Sequence, residues 1–391
     1  MKIYADNAAT TKISDEALDV MIKSMKSNYA NPSSLHTLGQ QAKSELENAR
    51  EIIARCINAS PKEIYFTSGG SESDNQAIRS AAYLGKKKGC THIVSSKFEH
   101  HAVLHTLKAL EKEGFSVTLV NVNSNGVIKA DDVDKAITDK TCLVTIMTAN
   151  NEIGTIQPIA EIGRICREKG VLFHTDAVQA VGHICVDVEK MNCDMLSLSA
   201  HKFHGPKGAG VLYAKKGIIL RNIIEGGAQE RGKRAGTENL PAVSGMAVAM
   251  RESIDKLEVN AKKILSMRDF LIDGLKNIER SRINGDLEKS LPGTLNMCFE
   301  GIEGESLLLL LDSKGICVSS GSACTSGSLE PSHVLLSIGV PVETAHGSLR
   351  ISLSENNTME EMEYIVKSVK EVVSYLRSIS PVWEKIMSEE K

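Results

Sequence analysis

A chain of 391 residues with 42% apolar and 24% charged residues and a formal net charge of −3 is ordinary globular material. This balance excludes a fibre, a membrane-spanning protein and a basic nucleic-acid binder, since the lysines are interspersed with glutamates rather than gathered on a phosphate-binding face. The length exceeds what one simple core accommodates, which sets two domains as the expectation.

The first residues, Met1 to Thr11, carry Asp6 and Asn7 and lack a charged start followed by a long apolar run, so no secretory signal is expected. Leu18, Met21, Ile22 and Met25 recur at helical spacing and predict a helix face. From about Asp15 to Lys215, helix-length segments alternate with short apolar runs: Ile64 to Phe66, His92 to Val94, Val117 to Val120, Leu143 to Met147, Val171 to Phe173 and Met195 to Leu198. Runs that apolar predict strands covered on both faces, and their separation by helices predicts βαβ units in a mostly parallel sheet.

Thr67, Ser68, Gly69, Gly70, Ser71 and Glu72 follow the first of these runs and precede a helical segment. A strand, a glycine turn and a helix start form an anion cradle, although taken alone they more often mark a plain turn with a serine N-cap; neither a Walker nor a dinucleotide pattern is present. His100 lies in a turn beyond the second run, where a flat imidazole could stack on a ring or sit on the surface. Metal binding by His100, His101, His201 and His204 lacks both a His-Glu-x-x-His helix and carboxylate partners, so no metal is expected. Asp176 and Gln179 come just past one strand end, where parallel sheets bind ligands. Lys202 leaves another, flanked by His201, His204 and a Gly-Pro turn.

Separately, Asp176 reads as a solvated loop carboxylate and Lys202 as an exposed cation. Together with the cradle they match the needs of pyridoxal phosphate: a lysine to condense with its aldehyde, a carboxylate for its ring nitrogen and amides for its phosphate.

After about Arg251 a long charged helical stretch is followed by Leu295 to Phe299, a leucine run at Leu307 to Leu311 and a terminal helix. Thr358 and Glu361 make the capping box of that helix, and Met362, Ile365, Val366, Val369, Val372, Val373 and Leu376 form its stripe. The boundary falls near residue 255, giving a large domain over 14–255 and a smaller one from 1–13 and 256–391.

Nine cysteines, at positions 56, 90, 142, 166, 185, 193, 298, 317 and 324, form no Cys-x-x-Cys pair and no framework spacing, which disfavours structural zinc and disulfides and points to a reducing cytosol. Cys56, Cys142 and Cys166 sit in apolar patterns and read as inert core thiols. Cys324 lies in a run from Ser319 to Ser328 almost without bulky side chains, where mobility and exposure suit a reactive thiol.

The segments DNAATT (6–11), NPSSLH (31–36), TSGGSESDN (67–75), NNEIG (150–154), HTDAVQ (174–179), SAHKFHGPKG (199–208), GGAQERGKRAGTEN (226–239), SSGSACTSGSLEPSHVL (319–335) and GSLRISL (347–353) resemble cysteine desulfurases of the class V aminotransferase group. The likeness covers nearly the whole chain and is closest to the iron-sulfur-cluster and nitrogen-fixation type. It implies an α/β type I pyridoxal-phosphate transferase fold: a large domain with a mostly parallel mixed sheet flanked by helices, and a smaller α+β domain.

Lys202 is then expected to carry the cofactor, Asp176 to face the pyridine nitrogen, Gln179 the ring hydroxyl and His100 the ring face. Gly70, Ser71, Ser199 and His201 would hold the phosphate, joined by Thr237 from the other subunit of a homodimer. Asn151 is expected beside the cofactor and, with Arg350, at the substrate carboxylate. L-Cysteine would be the substrate, with Lys202, His100 and Cys324 catalytic and Cys324 carrying sulfur to an iron-sulfur scaffold, where it would transiently meet the cluster. The tail from Ser380 looks short beside relatives with a longer scaffold-docking extension, and cluster assembly, nitrogenase maturation and transfer-RNA thiolation stay open as destinations. Two rival readings stand beside this one: an aminotransferase or lyase of the same fold, with no use for Cys324, and an assembly subunit with vestigial catalysis.

Overall fold

A computed structural model describes residues 2–320 and 331–389, so Cys324 and its neighbours lie outside the described residues. The strands in chain order are β1 (Ile3–Tyr4), β2 (Ile64–Thr67), β3 (His92–Ser96), β4 (Ser116–Val120), β5 (Thr141–Thr145), β6 (Leu172–Asp176), β7 (Met195–Ser199), β8 (Gly210–Ala214), β9 (Ser281–Asn284), β10 (Thr294–Phe299), β11 (Ile316–Cys317) and β12 (Ser348–Ser352). Seven of them form one sheet in the order β2-β8-β7-β6-β5-β3-β4. Every pairing from β7 to β4 is parallel, and β8 runs antiparallel to both β2 and β7. The sheet is therefore mixed but mostly parallel. β8 had no counterpart in the sequence reading; its five residues follow a Gly-Pro turn and carry no helix-length spacer to announce them.

Successive residues of the inner strands enter opposite cores. Leu143, Met195 and Leu212 pack on one face with Ala77, Ile78 and Leu107, while Val144, Leu196 and Val211 pack on the other with Ile53, Phe173 and Met246. Two buried faces explain the near-continuous apolar runs. The edge strand β4 departs from this rule, with Ser116, Thr118 and Leu119 exposed. The Leu18, Ile22 and Met25 face of helix Asp15–Ser27 also departs from it; those side chains are exposed, and Ala17 and Ser24 are buried instead.

A third core gathers Ile3, Leu271, Leu295, Phe299, Leu311, Ile351 and Val369 around the three-stranded sheet β12-β10-β9 and the β1-β11 pair. The leucine run becomes the helix Gly304–Ser313. The helix Met359–Ser378 starts at the expected capping box, with both reciprocal bonds made, and buries its expected stripe apart from the partly buried Val366. A further helix, Pro381–Glu389, follows it. Among the described residues, no helix is long and apolar enough to cross a membrane.

Candidate active site

Because β2 runs parallel to β7, the C-terminal ends of β2, β3, β5, β6 and β7 meet at one sheet edge, where this architecture opens a ligand crevice. A cavity of about 400 Å³ lies there, and Arg350 from β12 contributes to its wall. Gly70, Ser71, His100, Asn151, Asp176, Gln179, Ser199, His201, Lys202 and Arg350 all line it. Ten residues spread over 281 positions thus share one wall. Thr237 does not; it is exposed on a neighbouring cleft beside Ser68, Gly208 and Arg234.

The cradle is built for close backbone approach. Gly70 opens the helix Gly70–Lys87, and a Cβ there would meet Val178 Cγ2 at 2.5 Å. A Cβ on Gly210 would meet the Cα of Gly69 at 2.5 Å, so β8 too needs glycine where it passes the turn.

Beneath the cradle lies a buried clamp. Arg50 donates to both carboxylate oxygens of Glu230 at 2.8 and 2.7 Å and to the Ile64 carbonyl at 2.9 Å, while Glu230 accepts from the Phe66 amide at 2.9 Å. Glu230 and Arg231 hold left-handed backbone, with φ of 45° and 56°, a conformation that persists where surrounding bonds over-determine it. Arg234 and Glu72 staple the same segment to the start of the cradle helix at 2.9 Å.

Inside the cavity the polar groups are less completely matched. Lys202 Nζ donates to the carbonyls of Ala8 and Ala9 at 2.6 and 2.9 Å, and Gln179 donates to Ala8 at 3.0 Å. The chain's first residues therefore form part of the site. His100 accepts from the Ala102 amide through Nδ1 at 3.1 Å, which places the proton of the neutral ring on Nε2. Burial, followed by the nearby Lys202 charge, pushes the His100 pKa down to about 4, and the same causes bring His201 to about 4. Both imidazoles are neutral at pH 7. Asp176 accepts from the Val178 amide at 2.9 Å, and burial raises its pKa.

Arg350 is 2% exposed, donates to the Asn151 carbonyl at 2.9 Å and pairs with Asp6 at 3.0 Å. Its Nε has no hydrogen-bond partner among the described residues. A buried guanidinium with one nitrogen unbonded keeps a donor for a further acceptor.

Three carboxyl groups escaped the sequence reading: Asp74, Glu99 and Glu152. Glu99 accepts from the Met147 amide and the Ser96 hydroxyl, and burial pushes it up to about 8. Glu152 is pushed up to about 7 by burial, against a bond from Ser332. Asp74, Asp176 and His100, all on the cavity wall, bring one ligand-type atom each within 4.8 Å of one another. The only sequence signal for Asp74 and Glu99 was adjacency to the cradle and to His100.

The sequence profile described as Aminotransferase class-V matches residues 3–365. The chain belongs to the class V aminotransferase family. Among its family relatives, "Cysteine desulfurase IscS" of Clostridium botulinum strain Hall is 50% identical over 389 residues, covering 99% of this chain and 98% of the relative. The protein of the same description from Methanosarcina thermophila is 49% identical, covering 98% and 95%. A solved NifS-like protein superposes with a TM-score of 0.91 at 42% identity, covering 96% of this chain and all of that one. SspA, solved in complex with cysteine, gives a TM-score of 0.80 at 36% identity, covering 91% of this chain and 100% of its own.

Pyridoxal phosphate is the cofactor of this class V chain, and the cavity fits it. A glycine cradle, a buried carboxyl, a lysine amine and a neutral imidazole converge in the one space, whose volume suits a small cofactor.

Proposed function

We propose that this chain is a cysteine desulfurase that takes L-cysteine to L-alanine and delivers the sulfur, as a persulfide on Cys324, to an acceptor protein in iron-sulfur cluster assembly. The observation that carries the reading is the meeting of Lys202, Asp176 and Arg350 in one cavity. The near-full-length likeness to proteins described as cysteine desulfurases supports it. Pyridoxal phosphate, when bound, supplies the electron sink that makes the substrate α-carbon acidic.

The residues supply the rest. Gly70, Ser71, Ser199 and His201 would hold the phosphate, Gln179 would meet the ring hydroxyl and Asp176 the ring nitrogen, and His100 would lie against the ring. Arg350, with Asn151 beside it, takes the substrate carboxylate. Lys202 Nζ accepts the α-proton and returns it, and a neutral His100 exchanges a proton at the substrate thiol or the departing alanine. The Cys324 thiolate attacks the substrate sulfur: the S–S bond forms as the C–S bond breaks, its electrons pass to the carbon fragment, and protonation of that fragment yields alanine.

A homodimer in which Thr237 reaches the partner's phosphate accounts for its exposure outside its own cavity, and the exposed Leu18, Ile22 and Met25 supply an apolar face for that contact. We place residues 14–255 in the large domain and 1–13 with 256–391 in the small one. The eight described cysteines are all free thiols, as a reducing cytoplasm favours.

Supplied with L-cysteine and a reductant, Cys324→Ala is expected to lose sulfide release. Undiminished release would remove the carrier role.

A further inference from the structure

Asp74 is not needed by any step above, yet it is buried to 1% exposure on the cavity wall, and its Oδ1 has no hydrogen-bond partner among the described residues. It sits one turn into the helix Gly70–Lys87, which packs across β6 and β7. Its carboxyl and that of Asp176 approach within 4.8 Å, both out of water. Two carboxylates so placed do not both ionise, because Coulomb repulsion adds to the cost of burying each charge.

The neighbours decide which of them carries the charge. Asp176 faces the Lys202 cation and accepts the Val178 amide at 2.9 Å. Among the described residues Asp74 faces no cation: around it are Asp176, Glu99, the Ser197 hydroxyl and His174, whose Nε2 lies 3.6 Å away. His174 is itself neutral, since burial pushes it down to about 3, and its ring is engaged by Thr145 at 2.8 Å and Ser197 at 3.0 Å. The surroundings of Asp74 thus raise its pKa well above the ordinary carboxyl range, burial first and Asp176 second. The unbonded Oδ1 adds to this, because a buried oxygen without a hydrogen bond costs more when it carries charge than when the carboxyl is neutral.

We propose that Asp74 is a positioning residue holding the single proton of an Asp74–Asp176 pair, so that the pair presents one negative charge, on Asp176, to the cofactor ring nitrogen. A second negative charge there would over-bind the protonated ring in the resting enzyme. A missing first charge would leave the ring nitrogen unprotonated and weaken the electron sink. The inference rests on the reading that Asp176 faces that nitrogen.

The neutral isostere Asp74→Asn separates a protonated from an ionised side chain. Infrared difference spectra of wild type against this variant, at pH 7 and both with and without cofactor, are expected to show the C=O stretch of one protonated carboxylic acid in the wild type only. Its cofactor Kd should stay within about threefold of wild type, since one pKa unit of changed interaction equals tenfold. In alkaline titration the wild-type cofactor band should show a step that Asp74→Asn lacks.

Absence of the acid band, or a Kd weakened beyond about threefold, overturns the proposal, because each means that the charged form acts. Should Asp74→Asn fail to fold, aspartate-selective carbon-13 labelling of the wild type serves instead: a label-shifted acid band at pH 7 supports the proposal and its absence overturns it. An Asp176→Asn variant that binds cofactor as well as wild type would overturn the ring-nitrogen reading while leaving the Asp74 band in place, so the two failures are distinguishable.

Discussion

The clamp under the cradle and the cavity above it are both buried and both charged, but they are built on opposite terms. Arg50 and Glu230 pair through two hydrogen bonds, the Ile64 carbonyl and the Phe66 amide add one each, and the Arg50 Nε reaches the half-exposed Glu47 at 3.4 Å. Around the cavity, Asp74, Glu152 and Asp176 on its wall and Glu99 buried next to His100 outnumber the cations that reach them, and burial raises all four. Arg350 likewise keeps one nitrogen without a bond among the described residues. A region that only has to hold shape satisfies its polar groups internally. A region that must receive a cofactor and an amino acid leaves them waiting, at a cost in stability that the clamp and the three cores offset.

The contrast breaks most visibly at Lys202. Lys202→Ala is expected to cut alanine formation by about a hundredfold to ten-thousandfold, the range for losing a positioned acid-base group, while thermal unfolding of the apoprotein stays close to wild type. Normal turnover in an alanine-formation assay would contradict its role. Arg50→Met should do the reverse to the apoprotein: unfolding free energy falls by about 3–5 kcal/mol, as when one partner of a buried pair is removed, and chemical denaturation measures it. The Arg50→Met/Glu230→Met double variant should recover part of that loss, because no buried lone charge is left behind; Glu47, the other partner of Arg50, is half exposed to water.

A smaller effect follows from the waiting carboxyls. Glu99 in the folded chain titrates at about 8, against 4.5 for an unperturbed group. Between those values the folded state holds a proton that the unfolded chain has released, so stability falls as pH rises across that window. Glu99→Gln should flatten the apoprotein's decline by one group's share, of order 1–3 kcal/mol, in denaturation midpoints taken from pH 5 to 8. An unchanged slope would mean that Glu99 is already ionised there.

The smallest effect lies in a satisfied pair away from the cavity, His204 with Glu355 at 3.4 Å. A hydrogen bond and charge from His204 hold the partly buried Glu355 down at about 2, and Glu355 raises His204 in turn. The carboxylate's contribution is complete above pH 4.5 and lost as pH falls towards 2, while the imidazolium's is lost as pH rises past its raised value. Glu355→Gln should therefore cost about 1 kcal/mol near pH 6 and almost nothing near pH 2.

What was legible in the sequence followed local rules. Apolar runs marked the inner strands because both faces of the sheet are covered, and Thr358 with Glu361 announced a helix start through bonds spanning three residues. Lys202 and Asp176 were visible because each lies at or just beyond the C-terminal end of an apolar strand, Asp176 as the last residue of β6 and Lys202 at the end of the short turn that follows β7. Asp74 was not, since a carboxylate in a helix turn carries the same pattern whether it faces water or a cofactor. Neither was the clamp: Arg50 and Glu230 are 180 positions apart, and the left-handed backbone at Glu230 has no glycine to signal it. The Leu18, Ile22 and Met25 stripe shows the opposite limit, because periodicity reports an apolar face without saying which chain covers it.

The account turns on a covalent link between Lys202 and the cofactor. Borohydride reduction of the holoenzyme, followed by digestion and mass spectrometry, should place one cofactor-derived adduct on the peptide containing Lys202 and none on its neighbour Lys207. A reduced enzyme with Lys202 unmodified, or with the adduct on another lysine, would contradict it.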